Sequence, residues 1–240
     1  MIFLKLLVAH LVADFVFQTK FSIERKKGSH RQIFIHAAIF AGLSILLFIP
    51  SLNIGIIAAI LFLALAHYSI DWAKTRYLED NTRGFLLDQG LHITLIGLVT
   101  TAMDNNITFL NIVSQTTHFL DSPKILIFLV ALVLVTFGGS VFVGKIIQPF
   151  MTGIESEEKP GIRYAGTYIG ILERLLILIF ILTNNLTAIG FIFAAKSLIR
   201  FPETKEKRHF AEYFLIGTMT SFAYAITVGL AAQHLMNYVR

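Results

Sequence analysis

Residues 9–15 (AHLVADF) and 66–72 (AHYSIDW) share one pattern, Ala-His-x-x-x-Asp-aromatic, and both lie inside long apolar segments. A further histidine follows each aspartate, His36 coming 22 residues after Asp14 and His92 coming 21 after Asp71. Asp88 stands four residues before His92. Neutral imidazole and carboxylate together are a ligand set for Zn, Mn, Fe or Co. A cation held by such a set acidifies a bound water and makes it a hydrolytic nucleophile. Ionisable side chains are costly inside a bilayer and mark function there by default. The repeated set therefore defines a candidate reaction centre. The His-Glu-x-x-His motif of soluble metalloproteases does not occur in the chain.

His10/Asp14, His67/Asp71 and Asp88/His92 are each spaced i,i+4, so each pair shares one helix face. Gln18 extends the first stripe and Lys74 the second. Polar stripes on apolar helices are expected to face the bundle interior. The expected ligands are His10, Asp14, His36, His67, Asp71 and His92, holding one or two divalent ions. Asp88 would be a ligand or general base, and some carboxylates would orient histidines. Two other uses of the same residues exist. One histidine with an aspartate four residues on is commonly a hydrogen-bonded pair that links helices. The layer could also relay protons or ions.

The elements that must position these residues are transmembrane helices. The chain has 240 residues, 55% of them hydrophobic and 15% charged, with a mean hydropathy of +0.72. Soluble domains are nearer a quarter charged. Apolar runs at 2–19, 32–49, 54–75, 85–103, 124–144, 164–183, 186–200 and 210–236 predict an all-α, polytopic bundle of about eight spans. The seventh is short, and would be tilted or form a tight hairpin with the sixth across 183–187. Pro50, Pro123, Pro149, Pro160 and Pro202 all fall near predicted ends, where proline is tolerated. The net charge of +5 reflects loops rather than a nucleic-acid face, for which no basic run with interleaved aromatics exists. There are no cysteines, hence no disulfide framework or thiolate chemistry. The first segment carries His10 and Asp14 and does not read as a cleaved signal peptide.

Lys and Arg are concentrated in loops 20–31, 74–84, 145–163 and 200–209, and absent from the alternate loops 50–53, 104–123 and 184–185. The positive-inside rule puts the first set in the cytoplasm and both termini outside, in a bacterial inner membrane. Counting from those charges at about 1.5 Å per residue puts His10 roughly 15 Å deep, His36 roughly 8 Å, His67 about 10 Å and His92 about 13 Å. All seven groups fall in the cytoplasmic half. Helices 1 and 3 run the same way, which predicts a parallel pseudo-repeat of hairpins 1–2 and 3–4 about an axis along the membrane normal.

The chain is expected to divide into a His/Asp-bearing half, 1–104, and a second half, 105–240, with a polar cytoplasmic linker at 153–163. In the second half, Glu173 and Arg174 are adjacent and point about 100° apart, so they are not expected to pair. Lys196 and Arg200 are i,i+4 and could snorkel to headgroups. With Arg174, Lys74, Gln18 and Glu173 they form an expected substrate-binding set for an anionic amphiphile, such as a lipid phosphate. Arg174 needs a partner, for which Glu173, Glu212 or a first-half aspartate would serve. Gly166/Gly170, Gly190/Ala194 and Gly217/Ser221 are small-xxx-small pairs expected to allow close packing. His118 and Asp121 read as surface residues.

The stretches AHLVADFVFQT, HYSIDWAK (67–74) and FLLDQGLH (85–92) resemble a family of bacterial and phage membrane proteins of unknown function. AGTYIGILERLLI, AAKSLIRF and AEYFLIGT resemble its longer members. The arrangement is also loosely similar to membrane-bound metal-dependent hydrolases, which place His and Asp on early helices. The reading that results is a membrane metal-dependent hydrolase. Its alternatives are a proton- or ion-coupled transporter and a non-catalytic membrane partner protein.

Overall fold

The computed structural model describes residues 1–18, 29–104, 122–150, 165–206 and 208–239. The expectations for His118, Asp121 and the linker 153–163 lie outside these residues. Among the described residues the regular structure is entirely helical. The helices are α1 (Ile2–Leu11), α2 (His30–Phe48), α3 (Ile54–Tyr77), α4 (Thr82–Asp104), α5 (Pro123–Val133), α6 (Gly139–Ile147), α7 (Ala165–Leu182), α8 (Thr187–Glu206) and α9 (Arg208–Tyr238). Five stretches are long and apolar enough to cross a membrane: His30–Ser51, Ile54–Tyr77, Thr82–Met103, Pro123–Phe150 and Ala211–Tyr238. Large apolar side chains such as Ile54, Phe191 and Leu198 point outward, as lipid-facing residues do.

Helix boundaries follow local chemistry. Asn53 caps α3, its side chain accepting from the Ile56 N–H at 2.9 Å. The Asn81 side chain accepts from the Gly84 N–H at 2.9 Å at the start of α4. A side chain at Gly84 would collide with the Glu79 carbonyl, so glycine is required by that close approach. The expected hairpin at 183–187 is present. Asn184 takes a left-handed conformation (φ 57°), and the Asn185 N–H donates to Phe180 O at 2.7 Å. Gln233 ties the turn down by donating to Ile181 O at 2.7 Å and to Asn184 Oδ1 at 2.9 Å. One boundary differs from expectation: α8 continues through Pro202 to Glu206 instead of ending near 200. A proline removes one N–H from a helix but does not always end it.

Two π-helical turns interrupt the regular helix, Val12–Phe17 after α1 and Leu134–Gly138 between α5 and α6. Neither is encoded by a proline or a composition shift, and the sequence reading does not anticipate them. A π turn carries an extra residue and leaves carbonyls for other donors.

The chain forms two compact units, Met1–Val130 and Ala131–Arg240. In the first, α1 packs against α2 and α4, and α3 also packs against α2 and α4. Its apolar core contains Leu6, Ala9, Ala13, Phe40, Phe48, Ile56, Ile60, Leu63 and Ile96. In the second unit α7 packs against α9, around Ile177, Ile181, Phe222 and Ala225.

Candidate metal centre

Each of the first four helices delivers polar side chains to one place. α1 and its π turn supply His10 and Asp14, α2 His36, α3 His67 and Asp71, and α4 Asp88 and His92. All seven are buried, from His10 at 0% exposure to Asp14 at 7%. The four imidazoles pack closely. Ring centroids are 4.2 Å apart for His67–His92, 4.9 Å for His10–His92 and His36–His67, and 5.4 Å for His10–His67.

Asp14 is the hub. Its Oδ1 accepts from His36 Nε2 at 3.0 Å and lies 3.4 Å from His67 Nε2 and 3.7 Å from His10 Nδ1. Asp71 Oδ2 lies 3.7 Å from His36 Nε2 and 3.9 Å from His67 Nε2. Ligand atoms lie within 4.8 Å of one another in three groups: His10–Asp14–His67, His36–His67–Asp71 and Asp71–Asp88–His92. Those groups have the composition and spacing of a divalent-cation site.

Gln89, not singled out by sequence, completes the cluster. Its amide nitrogen donates to Asp14 Oδ2 at 2.8 Å and to Asp88 Oδ2 at 3.3 Å. Its amide oxygen is 3.3 Å from His10 Nε2. The two carboxylates fix the amide orientation, because the reverse would set oxygen against oxygen. The Gln89 oxygen can only accept, so His10 carries its proton on Nε2 and presents a lone pair at Nδ1. His92 is set in the same way: Nδ1 donates to the Asp88 carbonyl at 2.8 Å, which leaves a lone pair at Nε2. Gln89 sits beside Asp88 in sequence. The available signal was that an amide on α4, one residue from a cluster carboxylate, can reach its neighbours.

Four buried atoms of the cluster have no hydrogen-bond partner among the described residues: His10 Nδ1, His67 Nε2, Asp88 Oδ1 and His92 Nε2. Buried polar atoms are nearly always satisfied, and such exceptions point to a bound ion, a bound water or a catalytic role.

Lys74 donates to Asp88 Oδ2 at 2.6 Å, and its side chain is 32% exposed against 1% for Asp88. Gln18 closes the π turn of α1, half-buried and with extended backbone. The remaining expected substrate-binding residues lie in the second unit. Arg174 is 3% exposed, and its guanidinium is held by neutral groups. Nε donates to Val135 O at 2.5 Å, Nη2 to Thr136 O at 3.1 Å and Ser140 Oγ at 2.7 Å, and Nη1 to Ser221 Oγ at 3.2 Å. Two of these acceptors are carbonyls of the second π turn, whose Leu134 O also accepts from Tyr224 OH at 3.1 Å. Among the described residues no carboxylate pairs with Arg174. The partner expected for it is replaced by carbonyls that an ordinary α-helix would not offer. Lys196 donates to Glu173 Oε2 at 2.6 Å, which takes up both charges of that expected set. The side chain of Arg200 lies outside the described residues.

Gly139 and Gly170 make room for Arg174. A Cβ at Gly139 would lie 2.6 Å from Arg174 Nε, and one at Gly170 would lie 3.1 Å from Nη1. Gly166 and Gly190, expected at close packing contacts, have nothing within 4 Å of a Cβ.

Among its described residues the molecule is thus all-helical, with membrane-length apolar helices and a buried His/Asp cluster in its first unit. Residues 2–120, which include α1 to α4 and the whole cluster, match the model of a family described as a protein of unknown function, DUF3307. No curated protein and no solved structure matches the chain.

Proposed function

We propose that this chain is an integral membrane metal-dependent hydrolase whose divalent cation, Zn, Mn or Fe, is held in the first unit. One observation carries the reading. His10 Nδ1 presents a lone pair, is fully buried, and lies 3.7 Å from Asp14 Oδ1. Two electron-rich atoms face each other in a low-dielectric interior with no proton between them, an unfavourable arrangement that a cation resolves. His67, 3.4 Å from the same oxygen, completes a three-residue ligand set, and His36 and Asp71 adjoin it.

A cation there would supply an acidified water. With a single cation bound, Asp88, whose Oδ1 is unpartnered, would take the proton of that water and return it to the departing oxygen. Lys74, expected to help receive an anionic amphiphile, stands at the cluster beside Asp88. The remaining parts of the proposal rest on loop charge: eight spans, both termini outside, the centre in the cytoplasmic half of a bacterial inner membrane, and hairpins 1–2 and 3–4 as pseudo-repeats.

The test is metal analysis of the purified chain and of a His10→Ala/His67→Ala double variant. Retained divalent metal in the first and loss in the second, with helical content unchanged, is expected. Equal metal in both, or none in either, overturns the reading. Proton or ion flux in liposomes that needs Asp14 or Asp71 would replace it with the relay.

A further inference from the structure

Seven potential ligands exceed what one cation takes, since zinc sites use four and octahedral ions six. Two of the three ligand groups share no residue: His10–Asp14–His67, and Asp71–Asp88–His92. The second group has its own unpartnered atoms, Asp88 Oδ1 and His92 Nε2, on residues 1% and 3% exposed. Its histidine is oriented as metal-bound histidines are, with the other ring nitrogen donating to a backbone carbonyl, here Asp88 O at 2.8 Å.

It differs from the first group in one respect. The Lys74 ammonium, 2.6 Å from Asp88 Oδ2, already neutralises that carboxylate. Lys74 holds Oδ2 and leaves Oδ1 open, so an ammonium and a divalent cation compete for the charge of one carboxylate. Because the Lys74 side chain is 32% exposed, it can withdraw toward solvent without being left as a buried, unpaired charge. Lys5, the other lysine of α1 to α4, is not part of this competition. It lies over the Phe48 ring, 5.2 Å from the centroid, about 7 Å along α1 from His10.

We propose that Asp71, Asp88 and His92 form a second cation subsite guarded by Lys74, so that the centre loads one divalent ion tightly and a second in competition with the lysine. This rests on the metal reading above and adds the number of ions and what regulates the second. A second cation would turn Asp88 from proton acceptor to ligand and would supply further positive charge for a developing anion.

The experiment is equilibrium dialysis of the full chain in detergent against zinc alone, with metal counted per chain. It compares the wild type with Lys74→Met, and Lys74→Met with Lys74→Met/His92→Ala. The wild type should bind one equivalent tightly and a second more weakly. Lys74→Met should tighten the second at least tenfold and leave the first within twofold. Adding His92→Ala should remove the second and keep the first. A tight equivalent with no second in Lys74→Met, or a second whose affinity is unchanged within twofold, overturns this inference alone. Loss of the tight equivalent with His92→Ala shows a single shared site and also overturns it. Absence of any bound zinc overturns the metal reading as well.

Discussion

Gln89→Leu isolates the hydrogen bonding that sets up the centre from the ligands themselves. The substitution keeps a helix-compatible side chain of similar size and removes three contacts at once: donation to Asp14 Oδ2 at 2.8 Å, donation to Asp88 Oδ2 at 3.3 Å, and acceptance from His10 Nε2 at 3.3 Å. Losing the last frees the His10 proton to move, so the Nδ1 lone pair is no longer directed at Asp14. Outer partners of metal ligands are worth 10–100-fold in affinity, about 1.4–2.7 kcal/mol. Gln89 serves one histidine and two carboxylates, which puts the expected loss near the upper end, about 50–100-fold. Affinity is read by chelator competition on cobalt-loaded protein in detergent, with the cobalt absorption spectrum reporting ligand geometry. A folding defect alone lowers the yield without changing the spectrum of the protein that remains. An affinity within twofold of wild type, with an unchanged spectrum, would refute the assignment of the His10 tautomer and the metal argument built on it.

Asp14→Asn should lose metal more severely, beyond 100-fold, because it removes a ligand and sets an amide N–H against donors from His36 and Gln89; the same competition assay decides. Gly139→Ala inserts a Cβ 2.6 Å from Arg174 Nε and should destabilise the second unit by about 1–3 kcal/mol. Gly166→Ala, with open space around it, should stay within about 0.5 kcal/mol in a thermal-shift assay. Lys196→Met strands Glu173, 7% exposed, and should destabilise by about 3–5 kcal/mol, most of which Glu173→Gln/Lys196→Met recovers. The absence of cysteine permits single-cysteine mapping. With the termini outside, Asn185→Cys is labelled by impermeant maleimide on intact cells, and Arg31→Cys only after permeabilisation; the reverse pattern would invert the topology.

The helical class and the convergence of four histidines and three aspartates were readable because both depend on periodicity. An i,i+4 pair on an apolar helix must bury its polar face, and each of the first four helices had such a pair or a lone histidine. What was not readable depends on where backbone groups go. Charge is visible in a sequence, so the sequence points to carboxylates as partners for Arg174. The carbonyls of Val135 and Thr136 become available only through the π turn at Leu134–Gly138. The angular offset between Glu173 and Arg174 does not say that Lys196 takes the glutamate. Gln89 was overlooked because an amide carries no charge, although its three contacts depend on having both a donor and an acceptor end.

Arg174 and the His/Asp cluster face the same problem, polar groups in a medium that cannot solvate them, and they resolve it differently. Around Arg174 every contact matches a donor with an acceptor, and four of the five guanidinium N–H groups are used. A network closed in this way holds helices together and asks nothing of a ligand. In the first unit the match fails in a specific direction. His10 Nδ1 and His92 Nε2 offer lone pairs, Asp88 Oδ1 offers another, and no described donor meets them. An excess of buried acceptors is relieved by protons or by metal cations. Protons would go to the nitrogen atoms, but His10 Nδ1 lies 3.7 Å from Asp14 Oδ1, too far for a hydrogen bond and suited to an ion bonded to both. That spacing, more than the residue types, is why the first unit is assigned the chemistry and the Arg174 network a structural part.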